Sequence, residues 1–274
     1  MTAITSQYKE SYLQFLKLGG SLITNKDQSQ TARLDIIERI AREIKSAIDQ
    51  SHSTQLIVGH GSGSFGHIPA KEHKTRDGVS SPDDWRGFFD VWHQAYGLNR
   101  IVIDAFLKTD LPVITFPPSA SILTQNRQIL SWNIEPLRES LKSGLLPVVY
   151  GDVVFDQSIG GTILSTEDLF SYLAKQLMPS QILLAGLEPG VWLDFPDCTE
   201  IIEEITPNNW DIIKTRIGGS ASIDVTGGMY SKVFQSYQLA QDFPGLEVMI
   251  FSGHESGIIE RALLGERIGT LIHS

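Results

Sequence analysis

Apolar residues in this chain follow two patterns that alternate along its length. Short runs that are apolar at nearly every position read as strands buried on both faces. They cover Tyr12–Leu18, Leu56–Val58, Pro112–Phe116, Leu145–Tyr150, Gln181–Ala185 and Leu246–Phe251. Between them, apolar residues recur at helical spacing. Ile37, Ile40, Ala41, Ile44 and Ile48 share one helix face. Phe88, Val91, Trp92, Ala95 and Leu98 lie in a longer helix that Pro82-Asp83-Asp84 starts by its capping chemistry. Further helices are predicted over Ile134–Lys142, Glu167–Leu177, Met229–Ala240 and Ser256–Leu264, with a glycine-rich hairpin over Val153–Leu164. The alternation predicts an α/β protein with a mainly parallel central sheet covered on both faces. No internal repeat is present. The chain reads as one domain, residues 11–274, whose two lobes (11–178 and 179–274) meet near Met178-Pro179-Ser180.

Composition narrows the partners. With 274 residues, 41% hydrophobic and 20% charged, the chain can bury a large core. A net charge of −10 argues against non-specific binding to nucleic acid or anionic membranes. An anion site on such a protein must gather its cations locally. The single cysteine, Cys198, excludes an intrachain disulfide and fits a reducing compartment. The polar stretch Met1–Glu10 is unlike a signal peptide, and no apolar run approaches the ~20 residues of a membrane span. A cytoplasmic protein is expected.

Three glycine turns fall where strands give way to helices. The first is His60-Gly61-Ser62-Gly63-Ser64-Phe65-Gly66-His67, directly after Leu56–Val58. Glycine lets several backbone N–H groups converge on one phosphate, and His67 adds a switchable charge. Gly61, Gly63 and Gly66 also satisfy the dinucleotide pattern. That pattern needs an acidic residue at the end of the next strand, and the corresponding Ser80–Asp84 region is a helix start instead. The second turn is Lys17-Leu18-Gly19-Gly20-Ser21, where Lys17 interrupts a strand that should be buried. A buried lysine is costly unless an anion pairs with it. Lys26 follows in the same loop. The third is Asp224-Val225-Thr226-Gly227-Gly228-Met229, with Lys232 one turn into the next helix. Each turn alone is compatible with a plain strand-to-helix connection. Together, at the carboxyl ends of strands where open α/β sheets bind ligands, they point to phosphoryl transfer.

On these residues the chain resembles the amino-acid kinase superfamily, and within it the isopentenyl phosphate kinases. The match is carried by Lys17-Leu18-Gly19-Gly20-Ser21 with Lys26, by the His60–His67 segment with its final histidine, by Pro147–Asp152 ending in Gly-Asp, and by Ser222–Met229 with Lys232. The resemblance implies a three-layer αβα sandwich and ATP-dependent phosphorylation of isopentenyl phosphate to isopentenyl diphosphate. Mg²⁺ is expected on the nucleotide, and a homodimer is common. It implies an acceptor lobe over 11–178 and a nucleotide lobe over 179–274. Lys17, Lys26 and His67 are then catalytic. Ser62, Gly63, His67, Asp152 and Thr166 fall on the acceptor side, with Phe88 and Val91 along its apolar tail, although apolar residues at helical spacing also build ordinary cores. Lys17, Gly19, Gly20, Ser21, Gly63, Gly190, Gly228 and Lys232 fall on the nucleotide side.

Two segments depart from the pattern. Ser165-Thr166-Glu167-Asp168 stands where relatives carry Ser-Gly-Asp-Asp, so the acid that organises the lysines is Glu167 or Asp168, the latter equally suited to helix capping. Ala185-Gly186-Leu187-Glu188-Pro189-Gly190-Val191 lacks the aspartates usual on the nucleotide side. Other readings are a kinase for a different phosphate, phosphonate or carboxylate, and a non-catalytic nucleotide or oxyanion binder on the same scaffold.

Overall fold

The first strand, β1 (Tyr12–Leu18), is buried from Leu13 onward, as a central parallel strand must be. The computed structural model describes residues 12–25, 28, 30–51, 54–218 and 228–274. Lys26 and residues 219–227, which hold most of the third glycine turn, lie outside the described residues. After β1 come the one-turn helix α1 (Gly20–Ile23), α2 (Leu34–Gln50), β2 (Thr54–His60), α3 (Gly63–Glu72) and α4 (Pro82–Leu107). The middle of the chain forms β3 (Val113–Thr115), α5 (Pro118–Ser121), β4 (Ile122–Gln125), β5 (Gln128–Trp132) and α6 (Glu135–Lys142). Next are β6 (Leu146–Tyr150), β7 (Asp152–Asp156), β8 (Gly160–Leu164) and α7 (Thr166–Leu177). The last part holds β9 (Gln181–Gly186), β10 (Val191–Trp192), β11 (Ile201–Ile202), β12 (Glu204–Ile205) and α8 (Trp210–Gly218). It closes with α9 (Met229–Asp242), β13 (Glu247–Ser252), α10 (Ile258–Leu263) and β14 (Thr270–Ile272).

Eight strands make the central sheet, in the order β12-β14-β13-β9-β1-β2-β6-β3. Among the described residues, only β13 and β14 of this sheet pair antiparallel. Alternation along each strand sorts side chains between two cores. Leu13 and Phe15 of β1 face the layer of α7, α8 and α9, while Leu16 and Leu18 face α2, α4 and α10. This is the mainly parallel sheet, covered on both faces, that the alternation predicted, and the three-layer αβα sandwich that the resemblance implied. The helix start at Pro82 is as expected: Ser81 and Asp84 form a reciprocal capping box. The chain turns at Met178, the left-handed, exposed cap of α7, yet β9 immediately pairs with β1. One sheet therefore runs unbroken across residue 178.

A second, four-stranded sheet, β5-β4-β7-β8, flanks α4. The β7–β8 half is the predicted hairpin. The β4–β5 half was not legible, because its turn is Asn126-Arg127, both at left-handed φ (48° and 66°), rather than an Asn-Gly signal. The two hairpins are tied by the buried Asp156 carboxylate. It accepts from the amides of Asn126 (3.2 Å), Arg127 (2.8 Å), Ser158 (2.9 Å) and Ile159 (3.1 Å), and from the Thr124 hydroxyl (2.8 Å). Burial works to raise its pKa, but these donors outweigh it and hold the carboxyl at about 2. Asp156→Ala should therefore cost at least ~2 kcal/mol through unsatisfied donors, read as a lower denaturation midpoint. An unchanged midpoint would show that the hairpins hold together without it.

Candidate active site

The site begins with the side on which Lys17 leaves β1. Lys17 shares the face of Leu13 and Phe15, so it points at the layer of α7 and α9. Its register partner on β2 is Gly59. A Cβ at Gly59 would lie 2.5 Å from Thr166 Cγ2 and 2.7 Å from Phe170 Cζ. The missing side chain thus lets the first turn of α7 settle against the sheet beside Lys17. There Glu167 meets Lys17 in an ion pair, and Lys17 is only 9% exposed. Burial alone would raise the Glu167 pKa. The charge and hydrogen bond of Lys17, with a further pull from Lys232 on α9, bring it below the usual value. Glu167 is therefore hydrogen-bonded to one lysine and feels the charge of a second, far away in the chain. Asp168 is committed elsewhere: its carboxylate accepts from the Ser165 amide (2.8 Å) and hydroxyl (2.7 Å), completing the capping box of α7.

The glycine turns after β1 and β2 interlock. A Cβ at Gly20 would lie 2.5 Å from Gly63 N, and one at Gly63 would lie 2.2 Å from Thr24 Oγ1. Gly63 also takes a left-handed φ of 49°, which glycine adopts without strain. Thr24 fastens the pair by accepting from the Ser64 amide (3.0 Å) and donating to the Gly20 carbonyl (2.7 Å). At the same edge, amides step from strand to strand: Gly19 donates to Ala185 O (2.8 Å), Gly61 to Leu18 O (3.0 Å) and Gly151 to His60 O (3.1 Å). The starts of α1 and α3 are thereby held side by side at the carboxyl edge of the sheet. Ser21 is half-buried in α1, and Ser62 precedes α3. Gly228 caps α9, placing half-buried Lys232 one turn in.

The two histidines that bracket the second turn separate cleanly. His67 lies on α3 and is exposed. His60 is fully buried, stacks on Tyr150 (5.4 Å between ring centres), and sets Nδ1 3.1 Å from the Gly61 carbonyl and Nε2 3.2 Å from Asn99 Oδ1. Burial lowers its pKa, so it is neutral near pH 7. Asn99 continues to the Thr115 hydroxyl (3.1 Å). His60 is a structural support for the turn.

Other residues singled out from the sequence are placed behind the edge. The Thr166 hydroxyl donates to the His60 carbonyl (2.7 Å), which leaves only its backbone to face a ligand. Asp152 is 1% exposed and accepts from the amides of Val153 (2.8 Å) and Ser119 (3.4 Å), so it underlies the site rather than opening to solvent. Gly190 is buried, where a Cβ would lie 2.6 Å from Ile201 Cγ2, giving it a packing reason. Phe88 and Val91 form a small separate apolar cluster with Val79 and Val153, and Ala70 of α3 packs against it. Ala70 is three residues beyond His67, so this cluster adjoins the histidine along α3. Thr24, Asn99 and Tyr150 were missed. Each acts through a partner distant in sequence, and none carries a local motif.

A half-buried acid paired with a buried lysine and within electrostatic reach of a second, beside paired glycine turns at the carboxyl edge of a parallel sheet, defines a phosphate-handling enzyme of the α/β type. Residues 13–252 match the amino acid kinase family, and the chain belongs to that family. It is 35% identical over 266 residues to the isopentenyl phosphate kinase of Methanocaldococcus jannaschii, spanning 95% of this chain and 98% of that one. It is 36% identical over 269 residues to the isopentenyl phosphate kinase of Methanothermobacter thermautotrophicus, spanning 94% and 97%. A crystallographic isopentenyl phosphate kinase superposes with a TM-score of 0.79 at 32% identity, covering 95% of this chain and all (100%) of that one.

Burial pushes the Asp152 carboxyl up to about 6. A raised carboxyl favours the protonated form in the fold. Its contribution to stability is full below the unfolded value of ~3.9 and is lost as pH rises through about 6. Relative to Asp152→Asn, the wild type should lose on the order of 2 kcal/mol between pH 4 and pH 7. Thermal melts of both proteins across that range test this; a constant difference refutes it.

Proposed function

We propose that this protein transfers the γ-phosphoryl group of ATP to isopentenyl phosphate, giving isopentenyl diphosphate and ADP. The observation that carries the reading is the Lys17–Glu167 pair with Lys232 beside it, at the edge where the two glycine turns interlock. Two relatives at 35% and 36% identity, matching 95% and 94% of the chain, are isopentenyl phosphate kinases.

The attacking atom is an oxygen of the acceptor phosphate, which is already ionised, so no general base is required. The obstacle is mutual repulsion of two polyanions, and catalysis rests on positioning and positive charge. Lys17 is pre-aimed by Glu167 toward the transferring phosphoryl group, and Lys26 adds charge as the transition state forms. The amides of Gly20, Ser21 and Gly63 approach the phosphates from the paired helix starts. Lys232 and Gly228 hold the nucleotide tail in the 179–274 lobe. In the 11–178 lobe His67 takes the acceptor phosphate, whose dianion favours the imidazolium. The apolar cluster of Phe88, Val91 and Val153 receives the isoprenoid tail. Among the described residues no group of three or more His, Cys, Asp or Glu side chains is arranged to hold a metal. Mg²⁺ is expected to accompany the nucleotide, since such an ion often needs little protein ligation, and to supply charge neutralisation. Free Cys198 suits a cytoplasmic setting, and no described helix is long and apolar enough to cross a membrane.

His67→Ala should lower kcat/KM for isopentenyl phosphate about a hundredfold or more, with the melting temperature nearly unchanged because the side chain is exposed. The measurement is an ATP-coupled assay, run alongside geranyl phosphate, fosfomycin and acetylglutamate. Unchanged kcat/KM, or turnover of acetylglutamate alone, would overturn the assignment.

We further infer a homodimer through α4. Phe89 and Tyr96 are exposed (48% and 44%), and they stack with His93 and Trp92 at 5.9 Å and 5.7 Å respectively to form an aromatic stripe. Light scattering should give the mass of two chains. Phe89→Glu with Tyr96→Glu should give one, whereas a monomeric wild type would refute the interface.

A further inference from the structure

One surface cavity is not lined by Lys17, His67 or Lys232. It holds about 290 Å³ and is bounded by Arg76, Asn126, Arg127, Gln128, Ile163, Leu164 and Asp168. Arg76 lies in the short helical turn between α3 and α4, and Arg127 in the β4–β5 turn. Both backbones are pinned. The Thr162 hydroxyl donates to the Arg76 carbonyl (2.9 Å), and the Arg127 amide donates to Asp156 (2.8 Å). Asp156 and Thr162 are themselves buried, so the two arginine positions are fixed relative to the β7–β8 hairpin.

Charge is what sets this cavity apart. The chain carries a net charge of −10, and many surface arginines pair with a neighbouring carboxylate, as Arg100 does with Asp104 and Arg261 with Glu266. Neither Arg76 nor Arg127 has a carboxylate within 4.0 Å among the described residues. The one acid on the wall, Asp168, has one carboxylate oxygen held by the cap of α7, and the two arginines outnumber its charge. Asn126 and Gln128 add amide groups that can donate at the same wall. Two guanidinium groups with amides beside them match the geometry of phosphate oxygens. The volume admits a diphosphate, whose two charged groups two arginines can share.

We propose that this cavity is a second anion site, separate from the catalytic edge, that takes a small diphosphate. Its occupant touches the first turn of α7 at Asp168, next in sequence to Glu167. The proposal does not depend on which acceptor the enzyme phosphorylates.

The test uses the full chain saturated with a non-hydrolysable ATP analogue and isopentenyl phosphate in excess Mg²⁺, titrated calorimetrically with inorganic pyrophosphate. Saturable binding at about one equivalent is expected. The double variant Arg76→Gln, Arg127→Gln should weaken it at least tenfold, with an unchanged melting temperature and unchanged kcat/KM in the absence of pyrophosphate. Three results would overturn the proposal: no saturable binding while the catalytic edge is filled, binding only when that edge is empty, or equal binding by wild type and double variant.

Discussion

The proposed catalytic edge depends on one close approach, that of the first turn of α7 to strands β1 and β2. Gly59 makes it possible by leaving a gap in the sheet surface that Thr166 and Phe170 fill. Once α7 is seated, Glu167 lies over Lys17 and the Thr166 hydroxyl closes on the His60 carbonyl. The same contact therefore positions the lysine and anchors the start of the second glycine turn. A side chain at residue 59 would lift α7, and with it the counter-charge that makes a buried lysine tolerable.

Electrostatics explains why such a pair is needed in this molecule. The protein as a whole repels polyanions, so its cations must be concentrated and aimed. Glu167 does this by holding Lys17, with Lys232 near enough to lower its pKa. Removing either partner of such a pair leaves an uncompensated buried charge, which is more costly than never having built the pair. His60 shows the complementary solution. Buried and neutral, it supports the turn through hydrogen bonding rather than charge, while His67 lies on the exposed side of α3.

Much of this was legible in the chain. Runs apolar at nearly every position marked β1, β2, β6, β9 and β13, because strands covered on both faces are almost uniformly apolar. Lys17 announced a buried partner by interrupting such a run. The capping signal at Ser81-Pro82 is local chemistry and was read correctly. The β4–β5 hairpin and α8 were not legible. The first turns without glycine, and the second has a weak apolar face that gains its meaning from α9 beside it. The partners Thr24 and Asn99 were hidden for the same reason: a threonine or asparagine reveals its role only when the residue it bonds is brought alongside.

The sequence by itself determined the layer architecture, the three glycine turns and the cations near them, because periodicity, turn chemistry and misplaced charge are properties of neighbours along the chain. The tertiary structure decided which acid takes Lys17, which histidine is buried, and that Asp152 lies beneath the edge. Those outcomes follow from strand register and from the depth to which α7 sinks at Gly59. They depend on contacts between residues from about thirty to a hundred and fifty positions apart, which no local pattern encodes.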